Sequence, residues 1–210
     1  MKNLKFYLSV CLLACSTMVS AQFMNSGSKT SVSTATGSAG TWQGLRVSYK
    51  PVTIDFDGSD EDATGFSADY VFSFKLSEST PLFLEAGIGY QYTGYDEDEL
   101  EITLHSLSVP LNIGYKHAFS DQISVMPFVG INLRGNLSGK ATMDGYDEEL
   151  DLFDDDDMED AWKRFQIGWQ IGVGANFNKF YAGISYGGDL SELAEETKLK
   201  ATSVTIGFNF

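Results

Sequence analysis

Residues 164–177, Arg-Phe-Gln-Ile-Gly-Trp-Gln-Ile-Gly-Val-Gly-Ala-Asn-Phe, alternate without a break between two kinds of side chain. Phe165, Ile167, Trp169, Ile171, Val173, Ala175 and Phe177 take one parity; Arg164, Gln166, Gly168, Gln170, Gly172, Gly174 and Asn176 take the other. Period two is that of a β-strand, whose successive side chains point to opposite faces. A soluble sandwich strand is about 5–6 residues long, whereas a strand tilted across a bilayer needs about 9–11. An apolar face this long, with aromatics at its ends, suits hydrocarbon bounded by two interfaces. The stretch reads as a transmembrane β-strand, and the question becomes how many others match it.

Seven do. Alternation recurs over about residues 42–53, 66–76, 82–92, 106–116, 123–134, 180–188 and 203–210. In the second strand, for example, Phe66, Ala68, Tyr70, Phe72, Phe74 and Leu76 oppose Ser67, Asp69, Val71, Ser73 and Lys75. Connections alternate in length. Residues 77–80, 120–122 and 178–179 are tight hairpin turns, whereas 54–65, 94–101, 139–163 and 189–201 are long and acidic. Alternate connections of an up-and-down barrel emerge at opposite ends, with short periplasmic turns and longer loops outside the cell. The expected fold is all-β, an eight-stranded antiparallel up-and-down transmembrane barrel spanning residues 42–210, with both termini periplasmic.

Charge sorts by the same map. Of the 29 carboxylates, 25 fall in the four long connections, and none sits on an apolar strand face, where hydrocarbon would penalise it. The inner parity instead carries Arg46, Asp69, Lys75, Glu85, Lys116, Arg134 and Arg164, a candidate network of paired groups filling the lumen. A barrel of eight strands is filled by its own side chains, so a narrow ion or solute pore is the secondary reading. A soluble lipocalin-like barrel would reverse the faces. Its surface would then be Gly, Ser, Asn and Gln, with the bulky aromatics crowded into a small interior.

The front of the chain reads as an export signal. Lys2 and Lys5 precede an apolar run, and Val19-Ser20-Ala21 offers small residues for cleavage, giving a signal peptide over 1–21. A looser match of Leu12-Leu13-Ala14-Cys15 to a lipobox is the rival reading. Residues 22–41, rich in Ser, Thr, Gly and Ala, read as a flexible tail. Both cysteines lie in the leader, so no disulfide framework is expected. Losing the leader's two lysines takes the formal charge from −15 to −17, which disfavours nucleic acid.

Signal, strands and the closing Val204-x-Ile206-x-Phe208-x-Phe210 resemble small outer-membrane barrels of the OmpA/OmpX type. The stretch Leu107-Ser108-Val109-Pro110-Leu111-Asn112-Ile113-Gly114-Tyr115-Lys116 is similar to the Pro-Leu strand of the outer membrane protein β-barrel domain family that includes PorT-like proteins. The resemblance implies an outer-membrane location, contact with outer-membrane lipid and lipopolysaccharide, and insertion by the barrel-assembly machinery. The terminal Val204, Ile206, Phe208 and Phe210 would be read as its signal. It implies no shared reaction.

Nothing in the sequence compels catalysis. His105 and His117 are the only histidines, and no His/Cys metal cluster, nucleophile elbow or phosphate loop is present. A monomeric, non-enzymatic barrel is expected, acting in membrane integrity or in binding a surface protein or glycan through its loops. No cofactor is expected beyond Ca²⁺ at two acidic loops. The candidate ligands are Asp55, Asp57, Asp60 and Asp62 in one, and Asp154, Asp155, Asp156 and Asp157 in the other, since Ca²⁺ takes six to eight oxygens. The terminal pattern generates the first prediction. Deleting Phe210 should slow barrel assembly in pulse-chase while export and leader cleavage proceed, and an unchanged assembly rate would remove the signal reading.

Overall fold

The computed structural model describes residues 41–56, 59–97, 100–143, 149–154, 162–194 and 197–210. Eight long strands carry the fold. They are β1 Trp42–Phe56, β2 Ser59–Lys75, β3 Leu82–Glu97, β4 Leu100–Tyr115, β5 Ile123–Met143, β6 Phe165–Phe177, β7 Phe180–Asp189 and β8 Thr197–Asn209. Two-residue segments, His117–Ala118 and Leu150–Asp151, lengthen the pairing of β5 near its two ends. Each strand pairs antiparallel with its neighbours in sequence, and β8 returns to β1 with Val47 opposite Ile206 and Tyr49 opposite Val204. The sheet therefore closes as an eight-stranded antiparallel barrel, which leaves the spanning backbone no edge to satisfy in lipid.

The apolar parity faces outward. Val47 is 54% exposed and Ile171 53%, and Leu45, Ile113, Val129, Ile184, Val204 and Ile206 are exposed with them. Between them the polar parity is buried, with Ser73 and Gln166 at 0% exposure. A soluble barrel would show the opposite, so this is the inside-out polarity of a membrane barrel. Aromatic side chains bracket the apolar band. Towards the long connections Tyr49 packs on Phe66 (5.4 Å between centroids) and Trp169 on Tyr186 (5.8 Å). Towards the short turns Phe180 packs on Phe208 (5.6 Å), while Phe210 lies 6.0 Å from Tyr70 and donates its N–H to the Gln43 carbonyl.

The short turns follow their sequences. Asn178 holds φ at 53° between β6 and β7, a left-handed conformation Asn tolerates and a two-residue hairpin requires. Ser120 Oγ accepts the N–H groups of Gln122 and Ile123 before β5.

The long connections differ from expectation. Residues 54–65 and 94–101 are expected as loops, yet all but a two-residue tip of each continues as strand, so β2 reaches 17 residues and β3 and β4 reach 16 each. The alternation persists there with its polarity exchanged. Beyond the aromatic band Val52, Ile54, Ala63, Leu104 and Leu199 point inward and are buried, whereas Asp60, Asp62, Asp96 and Glu101 point outward. Phe153 and Leu193 come in from the third and fourth connections to complete this core, with Trp162 against it. Ile102, Ala141 and Leu152 form a second cluster beside it. Each level of the barrel thus matches its own surroundings, lipid in the band and water above it. Ile171→Arg, mid-strand on the outer face, should lose about 2–4 kcal/mol in a bilayer unfolding titration. Thr53→Arg, on the outward parity of β1 but above the aromatic band and opposite Asp62, should lose little; equal losses would contradict the level assigned to the membrane.

Candidate functional site: the lumen and the acidic crown

Two buried ion pairs organise the interior. Arg46 on β1 approaches Glu85 Oε2 at 3.8 Å, donates to Asn209 Oδ1 at 2.7 Å, and lies 3.9 Å from the centroid of the Tyr181 ring. Asn209 in turn donates to Asn176 Oδ1 at 2.7 Å, and Asn176 to Ser124 Oγ at 3.4 Å. Higher up, Arg134 donates to Asp189 Oδ2 at 2.7 Å, and its Nε to Gln166 Oε1 at 3.4 Å. Asn136 shares that Gln166 oxygen and accepts from Ser106 Oγ at 2.7 Å. Between the two pairs Asp69 accepts from Ser67 (2.9 Å) and Ser108 (3.2 Å), and Gln170 donates to Asn112 Oδ1 at 2.6 Å. Charges removed from water survive only with such partners.

Glycine on the inner parity makes this crowding possible. A Cβ on Gly89 would stand 1.9 Å from Asp69 Oδ1, and one on Gly174 would stand 2.5 Å from the Tyr181 ring. The bare backbone is the floor on which the larger side chains lie.

Of the inner charges expected from sequence, Arg46, Asp69, Glu85 and Arg134 lie within the lumen. Lys75 sits at the short-turn mouth and pairs with the exposed Glu78 at 3.7 Å. Lys116 occupies the same mouth, 4.4 Å above the Trp42 ring and 5.8 Å from Phe83. Arg164 is at the opposite rim, 4.7 Å from the Phe153 ring and bonded to the Leu137 carbonyl. Two luminal charges escape the sequence reading. Lys50, bonded to Gln91 Oε1 at 3.0 Å, continues the parity of Arg46 and Ser48. Asp189 closes β7 one residue past the expected strand end and accepts from both Arg134 and the Leu199 N–H.

The crown at the long-connection end is acidic and engages Lys140, Lys163 and Lys200 internally. Lys200 Nζ reaches Asp55 at 2.9 Å and Asp60 at 3.9 Å; Lys163 reaches Glu192 at 3.8 Å; Lys140 pairs with Glu149. The hydrogen bonds and charges of Asp55 and Glu149 hold the Lys200 and Lys140 ammonium groups above their ordinary pKa. Among the described residues no ion pair reaches Asp62, Asp96 or Glu101, so the outer surface keeps a negative excess.

Of the candidate Ca²⁺ ligands, Asp55 and Asp60 are cross-strand neighbours on the β1–β2 hairpin, held by Lys200. Asp62 stands opposite Thr53, and Asp154 bonds through its N–H to the Asp151 carbonyl. Asp57, Asp155, Asp156 and Asp157 lie outside the described residues. Among those described, no group of three metal-ligating side chains converges. His105 faces outward in the aromatic band, bonded through Nδ1 to the Tyr90 hydroxyl and 5.4 Å from the Tyr92 ring, where the register shifts opposite Leu137. His117 packs edge-on to Phe119 at the other end.

Residues 22–209 match the family model described as outer membrane protein beta-barrel domain. Two solved barrels share the fold at low identity. Ail, the attachment invasion locus protein of Yersinia pestis, is 12% identical with a TM-score of 0.52, the alignment covering 82% of this chain and 100% of that one. Neisserial surface protein A is 13% identical with a TM-score of 0.52 at the same coverage. Ail has also been solved with the heparin analogue sucrose octasulfate, at 13% identity and a TM-score of 0.51. No curated protein matches the chain in sequence. From its family match and its closed, apolar-surfaced barrel, the chain belongs to the outer membrane protein β-barrel domain family.

Proposed function

We propose that this protein is a non-enzymatic outer-membrane barrel that presents its acidic crown outside the cell to a cationic partner, with a lumen closed to solute flux. The observation that carries the reading is the exchange of polarity along β1–β4. Strands built to continue past the membrane around their own apolar core hold Asp60, Asp62, Asp96 and Glu101 clear of the aromatic band. A solvated loop would need no such core. Ail binds a sulfated sugar analogue, but a crown of this sign repels sulfate and favours ammonium or guanidinium groups. Ca²⁺ enters as a counter-ion of the crown, since Lys200 already engages Asp55 and Asp60.

The closed lumen rests on the paired charges and on Met126, Phe83 and Tyr181, which are buried towards the short-turn end. The non-enzymatic reading rests on His105, whose recorded partners are tyrosines rather than a serine or carboxylate. Refolded protein should give no conductance steps in planar bilayers. In the same preparation a lysine-rich peptide should bind with salt-sensitive affinity, and the Asp60→Asn, Asp62→Asn, Asp96→Asn, Glu101→Gln variant should bind it at least tenfold more weakly. Sulfated sugar binding that outcompetes the peptide, or stepwise conductance, would overturn this reading.

A further inference from the structure

On the β1–β8 side of the barrel the outward residues turn polar once past the aromatic band, with Thr53 and Asp55 beyond Tyr49 and Thr202 and Lys200 beyond Val204. The β5–β6 side does not. Phe165 lies four residues past Trp169 towards the crown, about 10 Å higher for a strand tilted about 40°, yet it points outward and is 55% exposed. Leu137, 53% exposed, is turned out where the β4–β5 register shifts and leaves it without an opposite residue. Between these two side chains the wall is dented. Gly135 stands between Leu107 on β4 and Phe165 on β6, and a Cβ built on it would meet nothing within 4 Å. Every other described glycine would bring its Cβ within 4 Å of a neighbour. At the crown end of the dent stands Arg164, exposed, its Nη1 donating to the Leu137 carbonyl at 3.3 Å and its guanidinium 4.7 Å from the Phe153 ring. Glu192 is taken by Lys163 and Asp189 by Arg134, and among the described residues no carboxylate comes within ion-pairing distance of Arg164. A guanidinium offers several further donors, and these are open.

From this arrangement we infer that the β5–β6 sector seats one phosphate-bearing lipid of the adjoining leaflet. An acyl chain lies in the dent over Gly135, between Leu107, Leu137 and Phe165, and a phosphate sits on the open fork of Arg164. An apolar wall raised above the band is unfavourable in water, and it continues the lipid face beneath it. An arginine fork matches phosphate through paired N–H bonds, and a basic group beside a membrane-facing wall holds an anionic head. Elsewhere the crown repels such a head, since Lys140, Lys163 and Lys200 are engaged by carboxylates. The source follows from the proposed orientation, on which this inference rests: with the crown outside the cell, the adjoining leaflet is the outer one, and the lipid is the phosphorylated glycolipid of lipopolysaccharide.

The test is native mass spectrometry of the refolded full chain, released from detergent after incubation with diphosphoryl lipid A. One lipid molecule should stay bound to the unaltered chain, and dephosphorylated lipid A should be lost from it. Gly135→Leu, whose side chain has open space to occupy, should fill the dent, and Arg164→Gln should remove the charge. Each should lower the retained fraction at least fivefold, whereas Arg164→Lys should keep most of it. Ile206→Leu, exposed on the far side of the barrel, should change nothing. No adduct on the unaltered chain, an adduct that neither substitution weakens, or equal retention of phosphatidylglycerol would overturn the site and leave ordinary lipid packing. Orientation is read separately, by a membrane-impermeant maleimide on Thr53→Cys in intact cells, so an inverted barrel and a wrong site give different results.

Discussion

A peptide group inside hydrocarbon has no water to bond, and that cost dictates the rest of this molecule. Every spanning strand must have two neighbours, so β8 has to find β1, and the pairing of Leu45 with Phe208 and Tyr49 with Val204 supplies the seam. Closure at eight strands then fixes a bore that side chains just fill. Inner residues must therefore be either small or hydrogen-bonded, and the sequence obeys by placing glycine under Asp69 and Tyr181. The outer residues answer to lipid instead, and Leu45, Val47, Ile171 and Ile206 stand exposed there.

The same alternation serves two solvents in turn. Along β1 the even residues run Arg46, Ser48, Lys50, Val52, Ile54, all inward, passing from polar to apolar within a few residues. The change coincides with the level of Tyr49 and Phe66, where the surroundings pass from lipid to water. Above that level the barrel is an ordinary water-soluble sheet around a hydrophobic core, with Leu193 at 0% exposure in its centre. Below it the core is polar. Along β1–β4 the crown thus continues the membrane sheet as paired strand around an apolar core.

Strand number, antiparallel order, the outward apolar face and the tight turns were legible in the sequence because period two is local and strong. Residues 164–177 alone give the spanning length and the two faces, the seven matching stretches give the number, and the Asn178–Lys179 turn follows from its residues. The crown strands were harder to see. Residues 54–65 are dense in Asp, and charge density argues for a loop until the buried partners Val52, Ile54 and Ala63 are set against Leu199 and Leu193 from far along the chain. Lys50 was hidden for a related reason. Its parity was readable, but its bond to Gln91 depends on how β1 and β3 face one another within the bore. Arg164 had the parity of a luminal residue yet stands at the rim, since β6 begins only at Phe165. Periodicity assigns a face; it does not assign a height.

Height is what the account depends on, and residues 22–210 contain no cysteine, which permits single-site labels. Spin labels at Val47→Cys and Thr53→Cys share the outward parity of β1, about 20 Å apart along the strand. Their collision rates with dissolved oxygen and with a water-soluble nickel chelate, measured on the protein in bilayers, report lipid and water directly. The account predicts that the label at residue 47 favours oxygen and the label at 53 favours nickel. Two labels in the same medium, both lipid or both water, would contradict it.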